Sequence, residues 1–504
     1  MGLFGTASVL ILYLAAILGI GAWASRRIET AADFVAAGKS LGFWTFTILI
    51  VASCTSGMTI LGVAGLGYIG GWPTMWEQIF VPLTCAVCII VYGAKLYRVG
   101  RVRNYVTVQD YFSDRYYSPR AMRVLAGLAV LVTSFIYLTG QYRAISIVLV
   151  RLLGLSHVTA LVIAAGIVMV YVVLGGLYAV AWTTLFQGLI LIAGVVLTAP
   201  LVINFAGGLT HVNSVLGQID PNYLRLFYPQ EHPPYQPYAF MTPAFLVSFF
   251  FLLAIGLGSA PHIINNVVAV KKASYFKWSP LAAFLIYVVI MYLIKMTGFA
   301  ARVMSQEGSL SVAHPDYAYI GAVESFLPGP VWALFGVVVL SAVMSTVGRL
   351  MLTIGSSIGW DLYKGLINPA ADDRKVNRVS RGGVVVFSII TVLLAIKPPA
   401  LLAWLIWMGV GIMLACFVTP LLFGLYWKRA TREGGIWSMS AGLAAALLFG
   451  ALDRFVVPLP MHFSFFAFII SMAAMVVVSL LTPEPDPKLI KETETGFYIS
   501  QRTR

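Results

Sequence analysis

Apolar residues recur along this chain in runs of helical-span length, separated by short connections where Gly, Pro and charged residues gather. A helix needs about 20 apolar residues to cross a hydrocarbon core about 30 Å thick. On that measure the pattern predicts thirteen spans, at 3–24, 43–70, 73–97, 124–153, 157–178, 183–206, 241–262, 279–303, 331–357, 382–396, 400–426, 436–452 and 462–482. The expectation is an all-α membrane protein whose residues 1–504 form one transmembrane domain. The longest polar connection, 207–240, carries Pro233, Pro234 and many Tyr and Asn, and reads as a partly ordered cap. From Pro483 the tail (483–504) turns to PEPDP and mixed charge, a disordered composition too short for a sensor or kinase domain.

Two spans break the apolar pattern. The second packs Ser53, Cys54, Thr55, Ser56, Gly57 and Thr59 into its middle, residues that interrupt a helix or let a neighbour approach closely. The seventh ends in GLGSAPHIINN, where Gly256, Gly258 and Pro261 mark a second break beside His262 and Asn265. Interrupted helices five spans apart are the mark of an inverted-repeat transporter, with its site at the midplane where broken backbone exposes carbonyls to a cation. The repeats would be 43–206 and 241–426, five spans each, with span one and 436–482 flanking them.

The ninth span carries Ser345, Thr346 and Arg349 where a lipid-facing helix would carry Leu or Val. Ser345 and Arg349, four apart, share a face. An arginine at that depth costs several kcal/mol unless it faces the protein interior. Asp361 and Lys364, which mark the end of the span, lie more than ten residues on, about 15 Å or more, too far for snorkelling. Arg349 is therefore expected inside.

Composition agrees: of 504 residues 60% are hydrophobic and 10% charged. The net charge of +14 changes the picture only through its placement. With the N-terminus outside and the C-terminus inside, 25 of the 33 Lys and Arg fall in cytoplasmic segments. The charge is thus an orientation signal, and no nucleic-acid partner is expected. The first span lacks the basic leader of a cleaved signal peptide. The four cysteines all sit in apolar runs, so neither a disulfide framework nor a zinc site is readable, and Cys85-x-x-Cys88 reads as packing. No G-x-x-x-x-G-K loop suggests ATP use, and no motif joins nucleophile, base and metal ligands, so an enzyme is not expected.

The pieces Phe34-Val-Ala-Ala-Gly-Lys-Ser-Leu-Gly42, Ala52-Ser-Cys-Thr-Ser-Gly57, Gly175-Gly-Leu-Tyr-Ala-Val-Ala-Trp-Thr-Thr-Leu-Phe-Gln187, Ala342-Val-Met-Ser-Thr346 with Asp361-Leu-Tyr363, and Leu425-Tyr-Trp-Lys-Arg429 before Gly434 and Gly435 resemble the sodium/solute symporter family, in order, over about 34 to 442. The resemblance implies a LeuT-like fold of five plus five helices with extra flanking ones, and a sodium ion between the second and ninth spans. Its ligands would be the carbonyls of Ala52, Thr55 and Ala342 and the hydroxyls of Ser345 and Thr346. Oxygen ligands of this kind suit a hard cation.

The departures matter as much. Thr184 stands where members usually carry the Asp of Trp-Thr-Asp, Cys54 where sodium/proline carriers have Asp, and Gly348 and Arg349 where many members place serines of an additional sodium site. A guanidinium about 5 Å from a bound cation would repel it by roughly 3 kcal/mol at an effective dielectric of 20. The additional site is expected to be lost, and Arg349 to act as a built-in cation, to bind an anionic solute, or to pair with an acid such as Glu77. Pro261-His262 resembles the organic-acid and vitamin branches. Candidate solute contacts are Cys54, Ser56, Thr59, Gln78, Tyr137, Gln141 and His262, with Trp404 and Trp407 as a gate. Arg143 cannot share a face with Gln141, two residues away on a helix.

The expected function is alternating-access secondary transport of a small organic solute, an organic acid or amino acid, with sodium coupling weakened or replaced by Arg349. Proton-coupled movement or exchange in the same fold, and a transporter-like solute sensor, are the alternatives. No organic cofactor is expected. The protein would be a lipid-embedded monomer of the bacterial cytoplasmic membrane.

Overall fold

The computed structural model describes residues 3–26, 39–229, 241–327, 329–396, 402–488 and 490. Among these the chain is helical, with one isolated bridge pairing Leu41 with Val270. Eleven helices are long and apolar enough to cross a membrane, and two bent pairs bring the number of spans to thirteen. In chain order the helices are α1 (Leu3–Ser25), α2 (Phe43–Cys54), α3 (Met58–Gly70), α4 (Trp72–Arg103), α5 (Val108–Arg115), α6 (Ala121–Leu153), α7 (His157–Leu174) and α8 (Gly176–Phe205). Then come α9 (Gly208–Ile219), α10 (Pro243–Ser259), α11 (Pro261–Val268), α12 (Ser279–Gln306), α13 (Ala318–Phe326), α14 (Trp332–Ile367), α15 (Asp373–Ala395), α16 (Ile406–Tyr426), α17 (Arg432–Phe455) and α18 (Phe463–Leu481).

The bent pairs are α2 with α3, at 62°, and α10 with α11, at 45°. They fall at the two sequence breaks. Around them α14 is the axis of the molecule: its most apolar stretch is wholly buried, whereas that of the flanking α1 is 28% buried and that of α17 33%. A span that touches protein on every side can hold polar groups that lipid would forbid.

Some boundaries differ from the apolar pattern, each for a local reason. The chain kinks between α7 and α8 at Gly176, the first residue of α8 (φ 49°, ψ −146°), a conformation open to a residue without Cβ. Helix α15 starts well before the predicted 382 because the Asp372 carboxylate accepts the Lys375 amide at 2.7 Å and caps it. The connection before α14 contains α13, which the apolar pattern does not show. The described part of the 207–240 segment is a helix and turn tied to the spans beneath: Trp72 Nε1 donates to Asn213 Oδ1 (2.9 Å) and Trp76 Nε1 to the Leu226 carbonyl (2.7 Å). Pro233 and Pro234, residues 34–38 of the first quoted piece, and the tail from 491 lie outside the described residues.

Where α2 begins and α11 ends, the chain is clamped. Leu41 N donates to Ala269 O (3.0 Å) and Lys271 N to Leu41 O (2.9 Å), while Arg101 donates to the carbonyls of Lys39, Val270 and Lys271. This side of the protein is called the basic face below.

Candidate cation and solute site

At the first break, α2 ends because Thr55 leaves the helical region (φ −80°, ψ 129°) while its amide and hydroxyl both return to the Val51 carbonyl. In an uninterrupted helix the Ser56 amide would bond Ala52 O and the Gly57 amide Ser53 O. Here Ser56 N donates instead to Thr59 Oγ1 (3.0 Å) and Gly57 N to Gln141 Oε1 of α6 (2.8 Å). The first diversion frees Ala52 O, and Thr59 N, which donates to Ser56 O (2.9 Å), leaves Thr55 O free; these two carbonyls face α14. Gly57 fits only as glycine, since a Cβ there would come within 2.3 Å of Ala144 Cβ.

Across from these carbonyls stand Ser345 and Thr346. Ser345 Oγ lies 3.3 Å from Ala52 O and 2.8 Å from Ala342 O, and Thr346 Oγ1 lies 3.5 Å from Ala52 O and donates to Thr55 O. Both side chains are buried. The structure therefore brings together all five oxygens named for the principal cation position. They form a buried, neutral, all-oxygen cluster of the kind a hard cation takes, and the hydroxyl-to-carbonyl bonds are those an ion would replace.

The residues named for the additional position do not converge. Arg349 is buried, but its guanidinium reaches α11: Nη2 donates to the His262 carbonyl (3.1 Å) and to Asn266 Oδ1, and Nε also points to His262 O (3.4 Å). Glu77, offered as a partner for Arg349, pairs instead with Lys295 at 3.1 Å, both side chains fully buried. Thr184 Oγ1 is buried with no hydrogen-bond partner among the described residues. Gly348 is kept small by Tyr171, whose hydroxyl would lie 2.6 Å from a Cβ there and donates to Met344 O (2.9 Å). A serine at 348 would require the Tyr171 hydroxyl to shift.

Beside the first break lies a cavity of about 20 Å³, space for about one water. Of the candidate solute contacts, Cys54, Ser56, Thr59, Tyr137 and Trp407 line it. Three other candidates do not. Gln141 spends its oxygen on the Gly57 amide; the Gln78 side-chain amide folds back against the Thr74 and Met75 carbonyls (3.0 and 3.3 Å); His262 sits behind Tyr137, the two rings edge-to-face at 5.5 Å. The side chain of Trp404 lies outside the described residues. Away from the basic face the cavity ends under aromatic rings, Phe249 against Trp407 at 4.8 Å and Phe80 against Phe249 at 6.4 Å.

Two residues absent from the substrate candidates belong to the site. Glu77, next to Gln78, lines the cavity. Tyr287 of α12 donates to the Cys54 carbonyl (2.8 Å) and lies 3.3 Å from Thr59 Oγ1, bridging the break. A single tyrosine in an apolar span carries no signal of that role. The polar Glu77 within the apolar run of α4 was the one that could have been found.

The profile of the Sodium:solute symporter family matches residues 34–442. Similar proteins include the osmoregulated proline transporter OpuE of Bacillus subtilis, 24% identical with 94% of each chain covered, and the sodium/pantothenate symporter of Escherichia coli, 26% identical over 86% of this chain and 88% of that one. Among solved structures, a substrate-bound, outward-open Na+-coupled sialic acid symporter superposes with a TM-score of 0.78 at 19% identity, covering 95% of this chain and 98% of the other. The nucleobase-cation-symport-1 transporter Mhp1, in a closed conformation, gives 0.55 at 15% identity, covering 93% and 99%. Both likenesses concern the fold.

Proposed function

Because the chain belongs to the sodium:solute symporter family, a family of alternating-access transporters, we propose that it carries a small organic acid or amino acid together with one sodium ion. The observation that carries this reading is the convergence of the Ala52, Thr55 and Ala342 carbonyls with the Ser345 and Thr346 hydroxyls between the first broken span and the buried axis. Sodium enters and leaves as cargo, exchanging water for these oxygens. The solute occupies the adjoining cavity between Cys54, Ser56, Thr59, Glu77, Tyr137 and Trp407, which widens as the aromatic cover and the basic face open in turn. Proteins similar to this chain are named for proline and pantothenate, both carboxylates, which supports an acid or amino acid as solute.

The orientation that goes with this reading puts the basic face in the cytoplasm and the N-terminus outside, supported by the placement of 25 of the 33 Lys and Arg. It acts as a monomer in a bacterial cytoplasmic membrane, with 43–206 and 241–426 as its repeats. A second reading, exchange or proton-coupled movement, is favoured by Arg349, a fixed positive charge one turn from Ser345.

The test is a thermal-shift screen of carboxylates, amino acids and sugars on purified protein, in sodium and in choline, followed by counterflow of each binder in liposomes. A carboxylate or amino acid that stabilises only in sodium is the expected result. Stabilisation by a sugar alone would overturn the solute class, and equal stabilisation in choline would favour the second reading.

A further inference from the structure

Arg349 is 2% exposed, and no carboxylate lies within ion-pair distance of its guanidinium among the described residues. Its Nε and Nη2 are satisfied by the His262 carbonyl and the Asn266 amide oxygen, but Nη1 is buried without a partner. Burying a charge without a counter-charge is costly, and such groups within membrane spans mark the path of a ligand. A second orphan stands beside it: Nε2 of the buried His262 ring, on the residue whose carbonyl Arg349 holds, also has no partner.

These groups continue from the cavity toward the basic face. Tyr137 lines the cavity, its ring meets the His262 ring at 5.5 Å, and the His262 carbonyl meets Arg349. One step further, Asn266 Nδ2 donates to Ser53 Oγ at 3.2 Å, joining α11 to α2 across the seam between the two broken spans. For the basic face to open, that seam must part and α11 must draw away from α14, so that Asn266 Oδ1 and the His262 carbonyl, both on α11, leave the guanidinium together.

We propose that Arg349 is a second binding station for the carboxylate of the solute, beneath the cavity and engaged as the basic face opens. Asn266 Oδ1 holds the guanidinium while the seam is shut; the planar N–H fork takes the carboxylate when it parts. This rests on the reading that the solute is a carboxylate.

The test uses the purified full chain and three matched probe pairs: propionate and propionamide, pyruvate and pyruvamide, L-proline and L-prolinamide. Thermal stability is titrated with each in sodium. The expected result is that at least one carboxylate stabilises the unmodified protein while its amide does not, that R349Q requires at least tenfold more probe, and that R349K, which keeps the charge but lacks the fork, falls between the two. Asn266→Asp covers the case in which R349Q does not fold. It puts a carboxylate on the guanidinium from within the chain, and is expected to raise the melting temperature while weakening the probe response at least tenfold. If the unmodified protein responds but R349Q, or Asn266→Asp in its place, responds equally, the station is overturned and the solute class stands. If no carboxylate acts on the unmodified protein, the solute class falls and the station with it.

Discussion

The two broken spans resolve the same problem in opposite ways. At the first break the released carbonyls of Ala52 and Thr55 are met by Ser345 and Thr346, neutral hydroxyls of a different helix, α14. At the second, the wide turn of α10 is satisfied close by: Ser259 Oγ donates to Gly256 O (2.8 Å), Thr84 Oγ1 of α4 to Leu253 O (2.5 Å), and Pro261 restarts the helix without an amide to place. What α14 sends to this second span is Arg349, a permanent charge. One helix thus faces one break with groups a cation can displace and the other with a cation already in place. The proposal of a single mobile ion rests on that difference.

Three changes would break or sharpen the contrast, in falling order of effect. Ser345→Ala with Thr346→Ala removes both side-chain oxygens from the first break while keeping helix propensity. Sodium-stimulated uptake is expected to disappear; uptake that kept its full sodium stimulation would show that the ion sits elsewhere. Gly57→Ala forces a methyl against Ala144 Cβ, at 2.3 Å before any relaxation. Overpacking of this kind costs about 1–3 kcal/mol, so the half-saturating sodium concentration should rise roughly tenfold and the melting temperature fall by several degrees. An unchanged sodium titration would mean that the break does not depend on its packing against α6. Tyr287→Phe deletes the hydrogen bond to the Cys54 carbonyl and the longer one with Thr59 Oγ1, each worth about 1 kcal/mol or less. Sodium affinity is expected to drop several-fold with little change elsewhere. By contrast Ser259→Ala, at the second break, should leave sodium affinity as it is; a loss equal to that of Tyr287→Phe would erase the distinction between the two breaks.

The spans were legible because a membrane imposes length and apolarity on every crossing, and both breaks were legible because Gly, Pro and small polar residues stand out against Leu and Val. The oxygens proposed for the cation came from the resemblance, and the diverted amides of Ser56 and Thr59 explain why the Ala52 and Thr55 carbonyls are free of the helix ladder. What the sequence left open was the phase of each helix. Glu77 and Gln78 are neighbours, about 100° apart around α4, and only packing decides that Glu77 turns to the cavity while Gln78 turns back to its own backbone. Gln141 looked like a ligand because buried amides are uncommon, yet its partner is the backbone of the break. Arg349 was legible as interior but not in its direction, since a long side chain can reach any of several neighbours from one position on a helix.

The central claim is that this chain holds one mobile cation, at the first break. The direct measurement is equilibrium binding of radioactive sodium to purified protein, counted per chain, alongside the Ser345→Ala, Thr346→Ala double variant. The expected result is one saturable site per chain with a Hill coefficient near one, absent from the variant. Two sodium ions per chain, or one retained by the variant, would contradict it.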